Sequence, residues 1–291
     1  MRILVTGASG FLGRHLMPLL KQHDVMRLTR STAEPSLMGE GGKSLIADLS
    51  HEGSWQEEVE RFSPEYCIHL AWEGLPDYSL TRCRVNLNTS LMLLETLVKA
   101  RVKRVVVAGS CWEYGRASGP VREDMAPIDC GVFASTKHAV RTVFDSIARD
   151  AGFECRWARL FFVYGSGQRS TSLIPNLYSA YALGRSPSLR EPHVGQDFVY
   201  VDDVARGLWA LAQCDAPSGI FNIGSGQMTS VASVANLVAT SFDKPMPFTL
   251  SSEVSGFWAD TRHTFAATGW RAETEINDGI AKTLAALEDA A

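Results

Sequence analysis

A doubly wound, mostly parallel α/β sheet with a smaller α/β unit at its C-terminal end is the fold class this sequence predicts, on three observations. Short apolar runs rich in Val, Ile and Leu alternate with amphipathic stretches through the first half of the chain. Those runs lack a polar face, so they suit strands covered by helices on both sides rather than a sheet with one wet face. Between the first run and the first amphipathic stretch stand Gly7, Gly10 and Gly13, a spacing that lets a strand turn tightly into a helix.

In chain order the expected strands are Ile3–Val5, Val25–Leu28, Ser44–Ile46, Tyr66–Leu70, Arg104–Ala108 and Cys155–Leu160. The expected helices are Leu12–Lys21, Ser54–Arg61, Leu87–Lys99 and Phe133–Asp150. The second half loses this rhythm and is punctuated by Pro175, Pro187, Pro192 and Pro217. Two further runs, Asp197–Val201 and Ile220–Ile223, are apolar enough to rejoin the sheet. The resulting division is a first domain over residues 1–165, with 194–223 returning to it, and a second over 166–291. A cleft is expected between them.

Composition sets several classes aside. The chain has 291 residues, 45% of them hydrophobic and 21% charged, enough to bury a sizeable core. The net charge of −4 is spread out, and no basic block marks a nucleic-acid surface. No apolar stretch approaches the roughly 20 residues that span a bilayer. The opening MRILVTG breaks at a glycine and does not read as a secretory signal, so a cytoplasmic setting is expected. Cys67, Cys83, Cys111, Cys130, Cys155 and Cys214 form no CxxC pair. They suit neither a metal site nor a disulfide framework, and a reducing compartment is the simplest setting.

The segment ILVTGASGFLGRHL spells GxxGxxG, a variant of the dinucleotide fingerprint of Rossmann sheets. Gly7, Gly10 and Gly13 allow the backbone to approach a pyrophosphate, and Phe11 and Leu12 sit at the helix start, where amides are free to bind it. A site that prefers NAD usually presents an acid to the ribose about twenty residues on. The second run reads VMRLTRS instead and offers Thr29, Arg30 and Ser31. A guanidinium and hydroxyls suit a 2′-phosphate, and Arg14 is a second candidate cation, so NADP(H) is expected over NAD(H).

From here the chain resembles the extended short-chain dehydrogenases/reductases, in the NAD-dependent epimerase/dehydratase group. TGASGFLG, ADLS, IHLAW, VNLNTSLMLLETL, VVVAGSCWEYG, GVFASTKHAV, RLFFVYGSGQ, DFVYVDDVARG, FNIGSG and WADTRHTFAATGW resemble the family's landmarks in the right order, nearly end to end. The resemblance implies that Asp48 and Leu49 meet adenine and that Leu70 and Ala71 lie beside the cofactor. It places Asn86 at the start of a long helix. It implies hydride transfer at a sugar carbon, with Ser110 hydrogen-bonding the reacting oxygen and Lys137 holding the nicotinamide ribose.

The family's acid or base is a tyrosine four residues before that lysine, and here the position is Phe133. The two positions share a helix face, so the geometry is kept while the proton-carrying oxygen is missing. Three readings stand: the proton relay has moved, turnover has been lost with binding kept, or a tyrosine was replaced to trap a complex. Cys111 is the adjacent candidate for a relocated relay, with Glu113 and Tyr114 as further options. His138 points off the Phe133–Lys137 face. The family's dehydratases carry an Asp-Glu pair directly after the hydroxyl, where this chain has Cys111 and Trp112, so a 4,6-dehydratase is not expected.

Two positions that the family uses to hold a nucleoside diphosphate have changed, to Phe162 and Gln196. Arg169, Arg185, Arg190 and Arg262 are the cations left to replace a lost arginine, while LIPNLYSAYALGRSPSL still resembles the nucleotide-binding segment. Trp72 and Trp112 imply a narrow pocket beside the nicotinamide. The leading expectation is an NADP(H)-dependent reductase of a nucleotide-activated 4-keto-6-deoxyhexose. An epimerase, a non-catalytic binder and an enzyme of a non-sugar ketone are the alternatives. The helices Leu87–Lys99 and Phe133–Asp150 would pair two subunits into a homodimer, as the family commonly does.

Overall fold

The structure is a computed structural model that describes residues 1–30, 42–251 and 254–290. The first half runs β1 (Arg2–Thr6), α1 (Phe11–Leu16), β2 (Asp24–Thr29), β3 (Lys43–Ile46), α2 (Ser54–Phe62), β4 (Tyr66–His69), α3 (Leu80–Lys99), β5 (Arg104–Ala108), β6 (Gly119–Val121), α4 (Val132–Ala151) and β7 (Glu154–Leu160). The second runs β8 (Phe162–Tyr164), α5 (Leu173–Ala182), β9 (Val194–Gln196), β10 (Phe198–Tyr200), α6 (Val201–Gln213), β11 (Gly219–Ile223), β12 (Thr229–Ser230), α7 (Val231–Thr240), β13 (Ser255–Ala259), α8 (Arg262–Thr268) and α9 (Ile276–Glu288).

Seven strands form one parallel sheet in the order β3-β2-β1-β4-β5-β7-β11. Strand order reverses between β1 and β4, which opens a crevice at their C-terminal ends, the place where such sheets bind ligands. The apolar strands are buried on both faces. Ile3 and Val5 enter one core cluster and Leu4 the other; Val106 and Val105 divide in the same way. Alternate residues of a strand point to opposite faces, and here both faces are dry, which is why the runs carry no polar alternation. A third cluster, around Ile174, Leu177, Phe198, Val234, Val238 and Ile280, holds the C-terminal elements together.

Three details depart from the sequence reading. The first helix converts to a 3₁₀ turn over Met17–Leu20, because Pro18 has no N–H and its ring crowds the carbonyl one turn back. Helix α3 begins at Leu80, where the Ser79 hydroxyl accepts the Arg82 N–H at 3.3 Å, so Asn86 lies inside the helix and not at its start. Ile220–Ile223 joins the main sheet beside β7, but Phe198–Tyr200 does not; it pairs in parallel with Phe162–Tyr164 in a separate two-stranded sheet. β11 already occupies the edge of β7, and Asp197, fully buried, accepts the N–H groups of Ser225, Gly226 and Ala259, which turns this run toward the second sheet system.

Candidate active site

A cleft of 790 Å³ opens at the strand-order reversal and is lined from both halves of the chain. Its floor is the glycine loop. Gly7 has φ of +73°, and a Cβ there would meet the Ala71 N at 2.9 Å. A Cβ on Gly13 would collide with the carbonyl oxygens of Gly7 and Ala8. The loop is closed by Gly10 N–H donating to Gly7 O at 3.0 Å. This is a cradle that any side chain would fill, and the first amides of α1 have no partner within the helix. Gly10, Phe11, Leu12 and Arg14 line the same wall, and the Arg14 Nε donates to Ser9 O at 3.0 Å.

The end of β4 forms the next wall. Thr6 Oγ1 lies 2.7 Å from His69 Nδ1 and accepts the Ala71 N–H at 3.2 Å, fixing Leu70 and Ala71 against the glycine loop. Burial, reinforced by the charge of Lys137, lowers His69 to about 3, so its ring is neutral. Asn86 lines the cleft, yet its carbonyl accepts the Glu73 N–H at 2.7 Å and its amide donates to Glu73 O and Arg82 O. Its polar atoms are therefore committed to holding the loop after β4.

Beyond the ends of β2 and β3, Asp48 and Leu49 line the cleft, with the Asp48 carboxylate held down in pKa by two Ser50 hydrogen bonds. Arg30 also lines it and pairs with Glu73 at 3.0 Å. Glu73 carries a second cation, Arg82. Ser31 lies outside the described residues.

Ser110 caps the 3₁₀ turn Cys111–Tyr114 at the C-terminal end of β5 and faces the cleft. Its N–H donates to Glu113 Oε1 at 2.8 Å. Glu113 is fully buried and also accepts from Trp157 Nε1 at 2.8 Å and Arg159 Nε at 3.2 Å. Lys137, on α4, is 6% exposed; its Nζ donates to Ala108 O at 2.8 Å and sits 3.8 Å from the centre of the Trp72 ring. Burial brings this ammonium down to about 7 from the usual 10.5, partly opposed by Glu113. Phe133 lines the cleft one turn before it, between Trp72 (ring centroids 5.4 Å) and Tyr78 (5.1 Å).

Several expected residues are placed apart. Cys111 is 2% exposed inside the core and does not line the cleft. Burial, then the charges of Asp197 and Glu113, push its thiol well up, so it has no thiolate to offer. Tyr114 is buried with its hydroxyl on Asn222 at 2.6 Å, and burial raises it to about 12. Arg262 is exposed and bound to Asp260 at 2.9 Å, away from the cleft. Trp72, Trp112, Phe162, Arg169 and Gln196 do line it.

Glu73, Tyr78 and Gln168 line the cleft too and were not foreseen. The sequence signals only their neighbourhood, a loop with glycine and proline at 74–76 and a GSGQ turn at 165–168. Among the described residues, the buried Trp72 Nε1 and Gln168 Oε1 have no hydrogen-bond partner. One unmatched donor and one unmatched acceptor beside a glycine cradle fit a polar ligand such as a dinucleotide or a sugar.

The model of the NAD dependent epimerase/dehydratase family matches residues 3–224. The dTDP-L-rhamnose 4-epimerase of Burkholderia thailandensis is 27% identical, over 96% of this chain and 93% of that protein. The dTDP-4-dehydro-6-deoxyglucose reductase of Escherichia coli is 21% identical over 98% and 97%. Among solved structures, MoeE5 in complex with UDP-glucuronic acid and NAD superposes with a TM-score of 0.87 at 28% identity, covering all of both chains.

Proposed function

Because this chain belongs to the NAD dependent epimerase/dehydratase family, we propose that it reduces the keto group of a nucleotide-activated 4-keto-6-deoxyhexose with NADPH. It is an enzyme of the extended short-chain dehydrogenase type, and it takes a nicotinamide dinucleotide and a sugar nucleotide. The observation that carries the reductase reading is the make-up of the wall after β5. It presents a single hydroxyl, Ser110, followed by a buried thiol and an indole where a dehydratase needs two acids.

When bound, the nicotinamide supplies the hydride. The protein does the rest by placement. The glycine cradle of Gly7, Gly10 and Gly13 takes the pyrophosphate, and Asp48 and Leu49 flank the adenine. Ser110 donates its hydroxyl hydrogen to the sugar carbonyl oxygen and polarises it. Lys137 holds the ribose once the Trp72 indole that covers its ammonium turns aside. Arg30 binds the 2′-phosphate, exchanging Glu73 for a more highly charged partner. Of the residues that line the cleft, Arg169 and Gln196 are the polar groups offered to the diphosphate, and Trp72, Trp112 and Phe162 narrow the sugar pocket.

The second reading is a 4-epimerase that retains NAD. The ion pair between Arg30 and Glu73, which occupies the guanidinium in the absence of a 2′-phosphate, favours it. Incubation with nucleotide 4-keto-6-deoxysugars and NADPH separates the two. Stoichiometric NADPH loss with one reduced product supports the reductase. Inversion at C4 of a nucleotide sugar with no net loss of NADPH supports the epimerase. If neither occurs with the chain or with its Phe133→Tyr variant, the keto-sugar reading falls. We also propose a homodimer. α3 and α4 pack on each other and leave Leu80, Val132 and Val143 exposed. A monomeric mass by light scattering would refute it.

A further inference from the structure

We propose that Tyr78 supplies the proton that Phe133 cannot, so that the acid of this site stands on the loop after β4 instead of on helix α4. The assignment rests on the keto reduction proposed above, and it follows from which phenols line the cleft. Among the described residues, the cleft is lined by two phenols, Tyr78 and Tyr164. Tyr164 is 2% exposed, with its ring against Phe198 and Tyr200 in the core of the second half. Tyr114 and Cys111, the candidates nearest Ser110 in sequence, are buried away from the cleft. Tyr78 is the phenol that remains, 48% exposed.

Its position is specific. The Tyr78 ring meets the Phe133 ring edge-on, with centroids 5.1 Å apart, and the opposite contact of Phe133 is Trp72, which lies over the Lys137 ammonium. The four side chains form one continuous row from Tyr78 to Lys137. A phenyl at 133 packs against a second aromatic ring without leaving a hydroxyl unmatched. The backbone there is held on both sides. Asn86 binds Glu73, Ser79 caps α3, and the Ser79 N–H donates to Asp77 Oδ1 at 2.9 Å.

In the step itself, a bound reduced nicotinamide would supply hydride to the carbonyl carbon, and the C=O π pair would move onto oxygen. That oxygen takes the proton from Tyr78 Oη while Ser110 continues to donate to it. The resulting Tyr78 phenolate recovers a proton from solvent, to which its exposure gives access.

The test compares the chain with Tyr78→Phe, Phe133→Tyr and the double variant. Tyr78→Phe is expected to lose about 10²–10⁴-fold in kcat, the usual worth of a placed general acid, with the KM for NADPH unchanged. Phe133→Tyr should restore turnover in the double. Wild-type kcat in Tyr78→Phe overturns the assignment, as does a loss confined to KM. A second readout needs no turnover: 3-fluorotyrosine is incorporated, and the ¹⁹F resonance lost in Tyr78→Phe is followed as NADP⁺ and an unreactive 4-deoxy sugar nucleotide are added. Its movement on adding the sugar supports the assignment even if no keto sugar is turned over, in which case the reductase reading alone has failed. An unmoved resonance overturns it.

Discussion

Glu113 is where a single substitution tests both the packing and the chemistry of this site. Its carboxylate is fully buried and serves three donors: the Ser110 backbone N–H, the Trp157 indole and the Arg159 guanidinium, which is itself only 2% exposed. Glu113→Ala leaves that guanidinium as an unpaired buried charge, a loss of about 3–5 kcal/mol. It also strands the Ser110 and Trp157 N–H groups, so a loss of at least about 4 kcal/mol is expected for the variant. At roughly 2–4 °C per kcal/mol, the melting temperature should fall by about 10 °C. Urea unfolding followed by far-ultraviolet circular dichroism measures the free energy. Glu113→Gln keeps two acceptor positions for Ser110 and Trp157 and should lose about half as much. Glu113→Leu combined with Arg159→Met removes both charges and should recover most of the stability. The double variant should still turn over poorly, because nothing then ties the Ser110 N–H and sets its hydroxyl toward the cleft. A Glu113→Ala protein within 1 kcal/mol of the parent would refute the reasoning.

Other substitutions read out the remaining parts of the site. Lys137 ionises near 10.5 in an unfolded chain and near 7 when folded, so between those pH values the unfolded chain holds more protons. The parent should therefore gain stability as pH rises from about 7 toward 10.5, with the full burial penalty present below 7. Lys137→Met should be the more stable protein at pH 6, by up to about 5 kcal/mol, with the advantage fading by pH 10; a pH-independent difference would contradict the burial account. Gly13→Ala forces a methyl into the Gly7 and Ala8 carbonyls and should cost at least about 1–3 kcal/mol, with cofactor binding lost in a fluorescence titration. Arg30→Ala should weaken NADPH about 10–100-fold, the worth of a charge-assisted hydrogen bond, and leave NADH unchanged. Glu73→Gln should tighten NADPH by freeing that guanidinium, and calorimetry with both nucleotides checks the pair.

Much of the architecture was legible because it follows from local rules. Six of the seven strands of the first half and its helices were expected within a few residues, with two exceptions: β6 was not foreseen, and α3 starts well before its expected first residue. Its first turns, Leu80–Asn86, are polar enough to hide the helical period, although Ser79 was available as a cap signal. The cleft residues of the glycine loop, the β4 end and Ser110 were legible for a related reason: motif spacing fixes where a strand ends, and strand ends meet the crevice. Asn86 and Arg262 show the limit. Both carry suitable polar groups, and only the fold reveals that one is spent on a loop and the other on Asp260.

The sequence by itself determined the layered α/β sheet, the glycine cradle and a phenyl ring at position 133, because each is written in residues adjacent along the chain. The tertiary structure decided what surrounds that phenyl ring. It buried Cys111 and Tyr114, turned Phe198–Tyr200 onto Phe162–Tyr164, and brought Tyr78 from a loop 55 positions earlier against Phe133. Those outcomes depend on which surfaces compete for the same volume, and burial of one side chain is settled by its neighbours in space rather than in sequence.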